Sequence, residues 1–191
     1  MINDSEKFQN KKIILVTGPT RSGKSEWAET LAKKSGKPVI YIATALENTQ
    51  DQEWQERITR HQERRPSYWE VQWIPYNLSV ILETITPPYC LLIDSVGTWV
   101  ANCLEQDNST WIETVDQFLV RLETTTVDVI LVAEEAGWGI VPAFPLGRKF
   151  RDRLGDLTRN LGLISNPVYL VSGGHALNLS SLGEPLTRKQ L

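Results

Sequence analysis

Gly18-Pro19-Thr20-Arg21-Ser22-Gly23-Lys24-Ser25 stands between an apolar run, Lys12–Thr17 (KIILVT), and a stretch of helical spacing from Lys24 to Lys34. Strand, glycine-bounded loop and helix in that order are what a phosphate cradle needs. Glycines at both ends let backbone N–H groups close around phosphate oxygens, and the N-terminal end of the helix adds partial positive charge. Lys24 is spaced to reach the outer phosphates of a nucleoside triphosphate, and the Ser25 hydroxyl to take a place on Mg2+. The whole loop, Gly18, Pro19, Thr20, Arg21, Ser22, Gly23, Lys24 and Ser25, is therefore the expected nucleotide-binding element.

Outward from that loop, apolar runs alternate with helical stripes. Gly36-Lys37-Pro38 punctuates before Val39–Ala43 (VIYIA), which reads as a second buried strand. Leu91–Ile93 ends at Asp94 and Val127–Ala133 ends at Glu134, with a helical segment around Thr110–Leu122 between them. Phe150, Leu154, Leu157 and Leu161 recur at helical spacing, and Val168–Val171 is the last strand in the pattern. Strands this uniformly apolar belong to a mainly parallel sheet with helices on both faces, so the expected fold is α/β, three layers deep, of the P-loop NTPase kind. Such sheets bind ligands at the C-terminal edges of their strands. One domain over 1–191 is expected, with 1–11 and 183–191 as flexible ends.

Composition narrows the partners. A net charge of -3 on 191 residues leaves no global footprint for nucleic acid or an anionic membrane. Cys90 and Cys103 are too few for a disulfide framework and read as buried structural thiols. No apolar run approaches the roughly 18 residues of a membrane span, and Met1–Lys12 lacks the apolar centre of a signal peptide, so a soluble cytoplasmic protein is expected.

Asp94, at the end of YCLLID, is placed to help hold the Mg2+, a hard cation that takes carboxylate oxygens. Glu134 and Glu135 also follow a strand, either to orient water or an acceptor hydroxyl or as a solvated loop pair. Trp54, Ile58 and His61 at i, i+4 and i+7 predict a helix over Asp51–Glu63, with Arg57, Arg60, Arg64 and Arg65 around the histidine. Fixed positive charge disfavours imidazolium, and a neutral imidazole beside bound phosphates can act as a nucleophile. The arginines could neutralise an incoming triphosphate. The same pattern also fits a partly buried histidine beside a solvated basic face. His175, after Gly173-Gly174, reads as a loop residue. Trp111 and Trp138 suit an interface, a ligand groove or the core.

The chain resembles the bifunctional adenosylcobinamide kinase / adenosylcobinamide-phosphate guanylyltransferase family of cobalamin biosynthesis. The similarity runs from about Ile13 to Leu179. In order it comprises the loop from Thr17 to Ser25, Tyr41-Ile-Ala-Thr-Ala45, Arg57-Ile-x-x-His61 with Arg65-Pro66 and Trp69, and Leu92-Ile-Asp94 with Thr98-Trp99 and Asn102. Gly137-Trp-Gly-Ile-Val-Pro142 and Arg148-x-Phe-Arg-Asp152 complete it. The resemblance implies two reactions. ATP or GTP phosphorylates the hydroxyl of the aminopropanol arm of adenosylcobinamide, and GMP is then passed from GTP to the product through a guanylylated His61, giving adenosylcobinamide-GDP and pyrophosphate. It also implies Lys24 and His61 as catalytic residues, Arg57 and Arg65 with the loop on the nucleotide, and Ser25 with Asp94 on Mg2+. A corrinoid in an open groove and a homo-oligomer, a trimer, follow from it as well. The chain departs from the family pattern at Glu134-Glu135, where Asn-Glu is usual, at Trp73, where an acid is expected, and at Gly174–Leu179. Two other readings stay open: a kinase without the guanylyltransferase step, and a nucleotide-dependent switch protein, which has no use for a basic histidine helix.

Overall fold

The computed structural model describes residues 11–46, 59 and 62–187. Its elements are β1 (Ile13–Gly18), α1 (Lys24–Lys34), β2 (Val39–Ala43), β3 (Glu70–Trp73), α2 (Leu78–Thr84), β4 (Cys90–Asp94), α3 (Val96–Asn102), α4 (Asn108–Thr124), β5 (Asp128–Glu134), α5 (Pro145–Ile164), β6 (Val168–Ser172), β7 (His175–Asn178) and α6 (Leu179–Leu182). The strands form a seven-stranded sheet in the order β3-β2-β4-β5-β1-β6-β7. The pairings from β3 to β6 are all parallel, and β7 runs antiparallel to β6. The α/β expectation holds.

The central strands are apolar throughout because both of their faces are covered. Successive side chains on a strand point to opposite sides. Leu15, Ile42, Leu91, Ile93, Val129 and Leu131 accordingly enter one core with Trp99 of α3, Phe118 and Leu122 of α4 and Leu157 of α5. Their neighbours Val16, Tyr41, Leu92, Ile130 and Val132 enter the other, with Ala28 and Ala32 of α1. Each fully buried large side chain contributes about 1.5–3 kcal/mol of transfer free energy. The two alanines let α1 lie close against the sheet.

That arrangement sets the crevice. The helix after β1 packs on one face and the helix after β5 on the other, although β1 and β5 are neighbours. The chain therefore parts at their C-terminal ends, where such sheets take ligands.

The structure corrects one sequence-based expectation and adds a strand that the sequence did not show. His175 opens strand β7 rather than sitting in a loop, its Nδ1 facing the Gly173 carbonyl at 2.9 Å. Trp73 closes β3, which no apolar run announced, because both edge strands are short and half exposed. They form by completing the open hydrogen-bonding edges of β2 and β6. Trp111 is 8% exposed and packs on Trp99 at 5.7 Å between ring centroids, with the Arg153 guanidinium 4.9 Å from its own ring. Trp138 is 61% exposed. Of the expected helix over Asp51–Glu63, only 59 and 62–63 are described and they are helical; Arg57 and His61 lie outside the described residues. Among the described residues no helix is long and apolar enough to cross a membrane.

Both cysteines are buried. Burial, with a smaller push from the Asp128 carboxylate, raises the Cys90 thiol to about 11, and burial raises Cys103 as well. Since the thiolate is the reactive form, neither should react with a disulfide reagent near pH 8 in the folded protein, and both should react promptly in denaturant. Fast native labelling of either would contradict this packing.

Candidate active site

The loop between β1 and α1 is shaped by two close constraints. A Cβ on Gly18 would lie 2.3 Å from the Val171 carbonyl oxygen of β6, so only glycine lets the first strand leave the sheet there. Gly23 holds φ at 91° as the N-cap of α1 and offers no capping side chain. The first-turn N–H groups of α1 are thus left for an anion, with the helix dipole behind them. Ser22 Oγ is buried inside the loop without a hydrogen-bond partner. Lys24 is buried as well, its Nζ folded back to 3.5 Å from the Pro19 carbonyl, a separation at the outer limit of a hydrogen bond. Such a contact is readily exchanged for a phosphate oxygen.

Ser25, in the first turn of α1, and Asp94, at the end of β4, meet. Ser25 Oγ lies 3.4 Å from Asp94 Oδ1, and Tyr41 Oη donates to Asp94 Oδ2 at 2.9 Å. Neighbouring ligands of an octahedral Mg2+ with bonds of about 2.0–2.1 Å are about 3 Å apart, so this pair of hard oxygens fits adjacent positions on such an ion. Among the described residues no group of three or more His, Cys, Asp or Glu could hold a metal ion. Two protein oxygens with phosphates and waters in the other positions is the usual Mg2+ arrangement. Burial pushes the Tyr41 phenol well above its ordinary value, and the Asp94 charge adds to that, so the phenol stays a donor.

The Asp94 backbone is held by a reciprocal clasp between strand ends: Thr44 Oγ1 donates to the Ser95 carbonyl at 2.8 Å and accepts from the Ser95 N–H at 3.0 Å. Asn102 Nδ2 donates to the carbonyls of Thr44 and Pro75, tying down the loops after β2 and β3.

The segment that follows His61 is fastened over α1. Arg64, three residues on, is ion-paired with Glu26 and Glu29 of α1, the latter at 3.3 Å. The Arg65 guanidinium lies 4.0 Å from the centroid of the Tyr41 ring. Burial raises Glu29 above the usual carboxylate range, and Arg64 opposes that rise.

The two acids after β5 part company. Glu135 accepts from Thr17 Oγ1 at 2.7 Å and its N–H donates to the Gly18 carbonyl at 3.0 Å, beside the loop. Glu134 accepts from the Gly97 N–H at the start of α3 at 2.9 Å. Neither is the solvated loop pair allowed by the sequence.

Several residues of the family pattern brace the scaffold instead of the crevice. Arg148 Nη1 donates to the Pro142 and Ala143 carbonyls, and Phe150 packs on the core. Arg153, which the sequence reading passed over, is buried and donates to the carbonyls of Cys103, Leu104, Gln106 and Asp107 around the end of α3. The sequence assigns no role to Tyr41, Thr44 or Glu29, and Arg64, expected among the arginines around an incoming triphosphate, is ion-paired with α1. A phenol in the otherwise apolar VIYIA strand was the available signal, since a buried tyrosine hydroxyl needs a partner.

Fold and site together define a P-loop nucleotide-binding α/β protein. Residues 14–179 match the family described as cobinamide kinase / cobinamide phosphate guanyltransferase. The chain is 35% identical over 174 residues to the bifunctional adenosylcobalamin biosynthesis protein CobP of Pseudomonas aeruginosa, covering 90% of this chain and 98% of that one. It is 34% identical over 177 residues to the bifunctional adenosylcobalamin biosynthesis protein CobU of Escherichia coli, covering 85% and 96%. A solved structure from Pyrococcus horikoshii OT3 shares the fold with a TM-score of 0.55 at 6% identity, over 88% of this chain and 85% of that one. The chain belongs to the cobinamide kinase / cobinamide phosphate guanyltransferase family and is an enzyme of that bifunctional class.

Gly18→Ala should destabilise the protein by about 1–3 kcal/mol, because the added methyl meets backbone that cannot turn aside; chemical denaturation measures it. Glu29 binds its proton more tightly folded than unfolded. Its charged form therefore opposes folding, and stability should fall as pH rises from the ordinary carboxylate range, about pH 4, through the raised folded value. Glu29→Gln should remove that slope. Denaturation midpoints across the acid range that keep the same slope in the variant would show that Glu29 is not its source.

Proposed function

We propose that this chain carries out both reactions of its family on adenosylcobinamide. ATP or GTP first phosphorylates the hydroxyl of the aminopropanol arm, and GTP then donates GMP to the resulting phosphate through His61. What carries the reading is the convergence at one sheet edge of the unpaired start of α1, buried Lys24, the Ser25–Asp94 oxygen pair, and Arg64 and Arg65 immediately after His61.

In the first step the acceptor hydroxyl attacks the γ-phosphorus and gives up its proton to solvent, the bond to the β–γ bridging oxygen breaks, and the nucleoside diphosphate leaves. Backbone N–H groups of the loop and Lys24 take up the charge that develops on the phosphoryl oxygens. In the second, a neutral His61 nitrogen attacks the α-phosphorus of GTP and pyrophosphate departs. A phosphate oxygen of the corrinoid then attacks the same phosphorus, the P–N bond breaks, and adenosylcobinamide-GDP forms as the histidine is released. Mg2+, held by Ser25 and Asp94, would supply charge neutralisation between the phosphates. Arg57 and Arg65 neutralise the triphosphate from the histidine side. Splitting the transfer lets one cradle serve a second nucleotide without a second fold.

We include a homo-oligomer, a trimer, in the proposal. The loop after β5 presents Trp138, Ile140 at 95% exposure and Phe144 at 79%, an apolar surface of the kind that subunits cover. Ile140→Asp should lower the sedimentation coefficient toward that of a single chain. A wild-type protein already sedimenting as a single chain would refute this part.

Incubated with α-labelled GTP and Mg2+, the wild type should acquire an acid-labile protein-bound label, and His61→Ala none. Absence of label in wild type that binds GTP would overturn the guanylyltransferase step, while phosphorylated adenosylcobinamide in the same tubes would leave the kinase standing. Lys24→Ala should lower both activities by at least about a hundredfold; retained kinase turnover would refute the assignment of the cradle.

A further inference from the structure

We propose that Tyr41 is the positioning residue of the metal carboxylate, committing one Asp94 oxygen so that the other faces Ser25 and the ion. The proposal rests on the reading of Ser25 and Asp94 as Mg2+ residues.

Tyr41 is the single polar side chain in β2, and it points into the core beside α1, where a hydroxyl without a partner would be costly. Its partner is Asp94 Oδ2 at 2.9 Å. Asp94 Oδ1 is left on the side of Ser25, 3.4 Å away. A carboxylate free to rotate could present either oxygen, or both, to a cation. With Oδ2 hydrogen-bonded to the phenol and the backbone held by the Thr44–Ser95 clasp, the carboxylate is turned so that Oδ1 lies on the side of Ser25. Ligating carboxylates depend on such hydrogen bonds for orientation and basicity.

The same ring does a second thing. The Arg65 guanidinium sits 4.0 Å from its centroid, so one aromatic side chain touches both the Mg2+ carboxylate and the segment that carries the basic residues after His61. The register explains how: β2 pairs with β4 so that Ala43 lies opposite Asp94, which puts Tyr41 two residues below the carboxylate, within reach of its long side chain.

Tyr41→Phe removes the hydroxyl alone and keeps the ring that fills the core and faces Arg65. With a non-hydrolysable GTP analogue present, Mn2+ binding followed by electron paramagnetic resonance should weaken about tenfold in this variant. Nucleotide affinity without metal should not change. In turnover, the Mg2+ concentration for half activation should rise, with kcat at saturating Mg2+ largely kept. Asp94→Asn should lose the Mn2+ site, and adding Tyr41→Phe to it should change nothing further, because Tyr41 acts through Asp94. Wild-type Mn2+ affinity in Tyr41→Phe, with the site lost in Asp94→Asn, would overturn the proposal. Wild-type affinity in Asp94→Asn would instead overturn the reading beneath it. A measurement independent of the variants' stability is fluorine NMR of wild type labelled with fluorotyrosine: a tyrosine signal should move when Mg2+ is added to the nucleotide-bound protein, and a spectrum with no change would equally sink the idea.

Discussion

The pairing of β1 with β5 is the constraint from which the rest follows. It sets Gly18 opposite Glu134, and the Glu135 N–H extends the ladder to the Gly18 carbonyl just where β1 turns into the loop. With β6 on its other side, β1 is held along both edges, and the Val171 carbonyl crowds Gly18 from there. A loop that leaves a strand gripped in this way has little freedom. Its N–H groups are oriented before any phosphate arrives, so little ordering entropy remains to be lost on binding.

The same ladder fixes the distance between the two halves of the site. One strand, β5, stands between β1 and β4, and Asp94 pairs with Val132, two residues short of Glu134. The side chains of Ser25, on the helix, and Asp94, on the strand, therefore meet across the top of β5. A change that slipped β4 by one residue would turn Asp94 toward the opposite face, because strand side chains alternate. The buried alternation of Leu91, Leu92 and Ile93 between the two cores opposes that slip.

Polar contacts near the crevice are concentrated where the backbone would otherwise be free. Thr44 with Ser95, Asn102 with the carbonyls of Thr44 and Pro75, and Thr17 with Glu135 join the ends of strands and not their middles. Each net contribution is small, about 0.5–1.5 kcal/mol, but an unmade bond at a buried strand end costs more than that. Arg153 and Arg148 play the corresponding part on the far side, satisfying carbonyls after α3 and before α5. Much of the family's sequence pattern thus describes the frame, and a smaller part describes the chemistry.

By itself the sequence determined the parallel α/β architecture, the phosphate loop and Asp94 at a strand end. Those features are written in local period, in glycine spacing and in continuous apolar runs, all of which are legible one segment at a time. The edge strands β3 and β7 were illegible, because Glu70–Trp73 and His175–Asn178 carry no buried period and exist by completing hydrogen bonds offered by a neighbour. Arg57 and His61, singled out by their basic company, lie outside the described residues, and the contacts of Arg64 and Arg65 speak only for the segment after them. Only the tertiary structure decided that Tyr41 meets Asp94, that Glu134 turns to α3 while Glu135 turns to the loop, and that Trp111 is core. Those partners are far apart in the chain, and a pairing across it is set by strand order and register, which no local stretch of residues encodes.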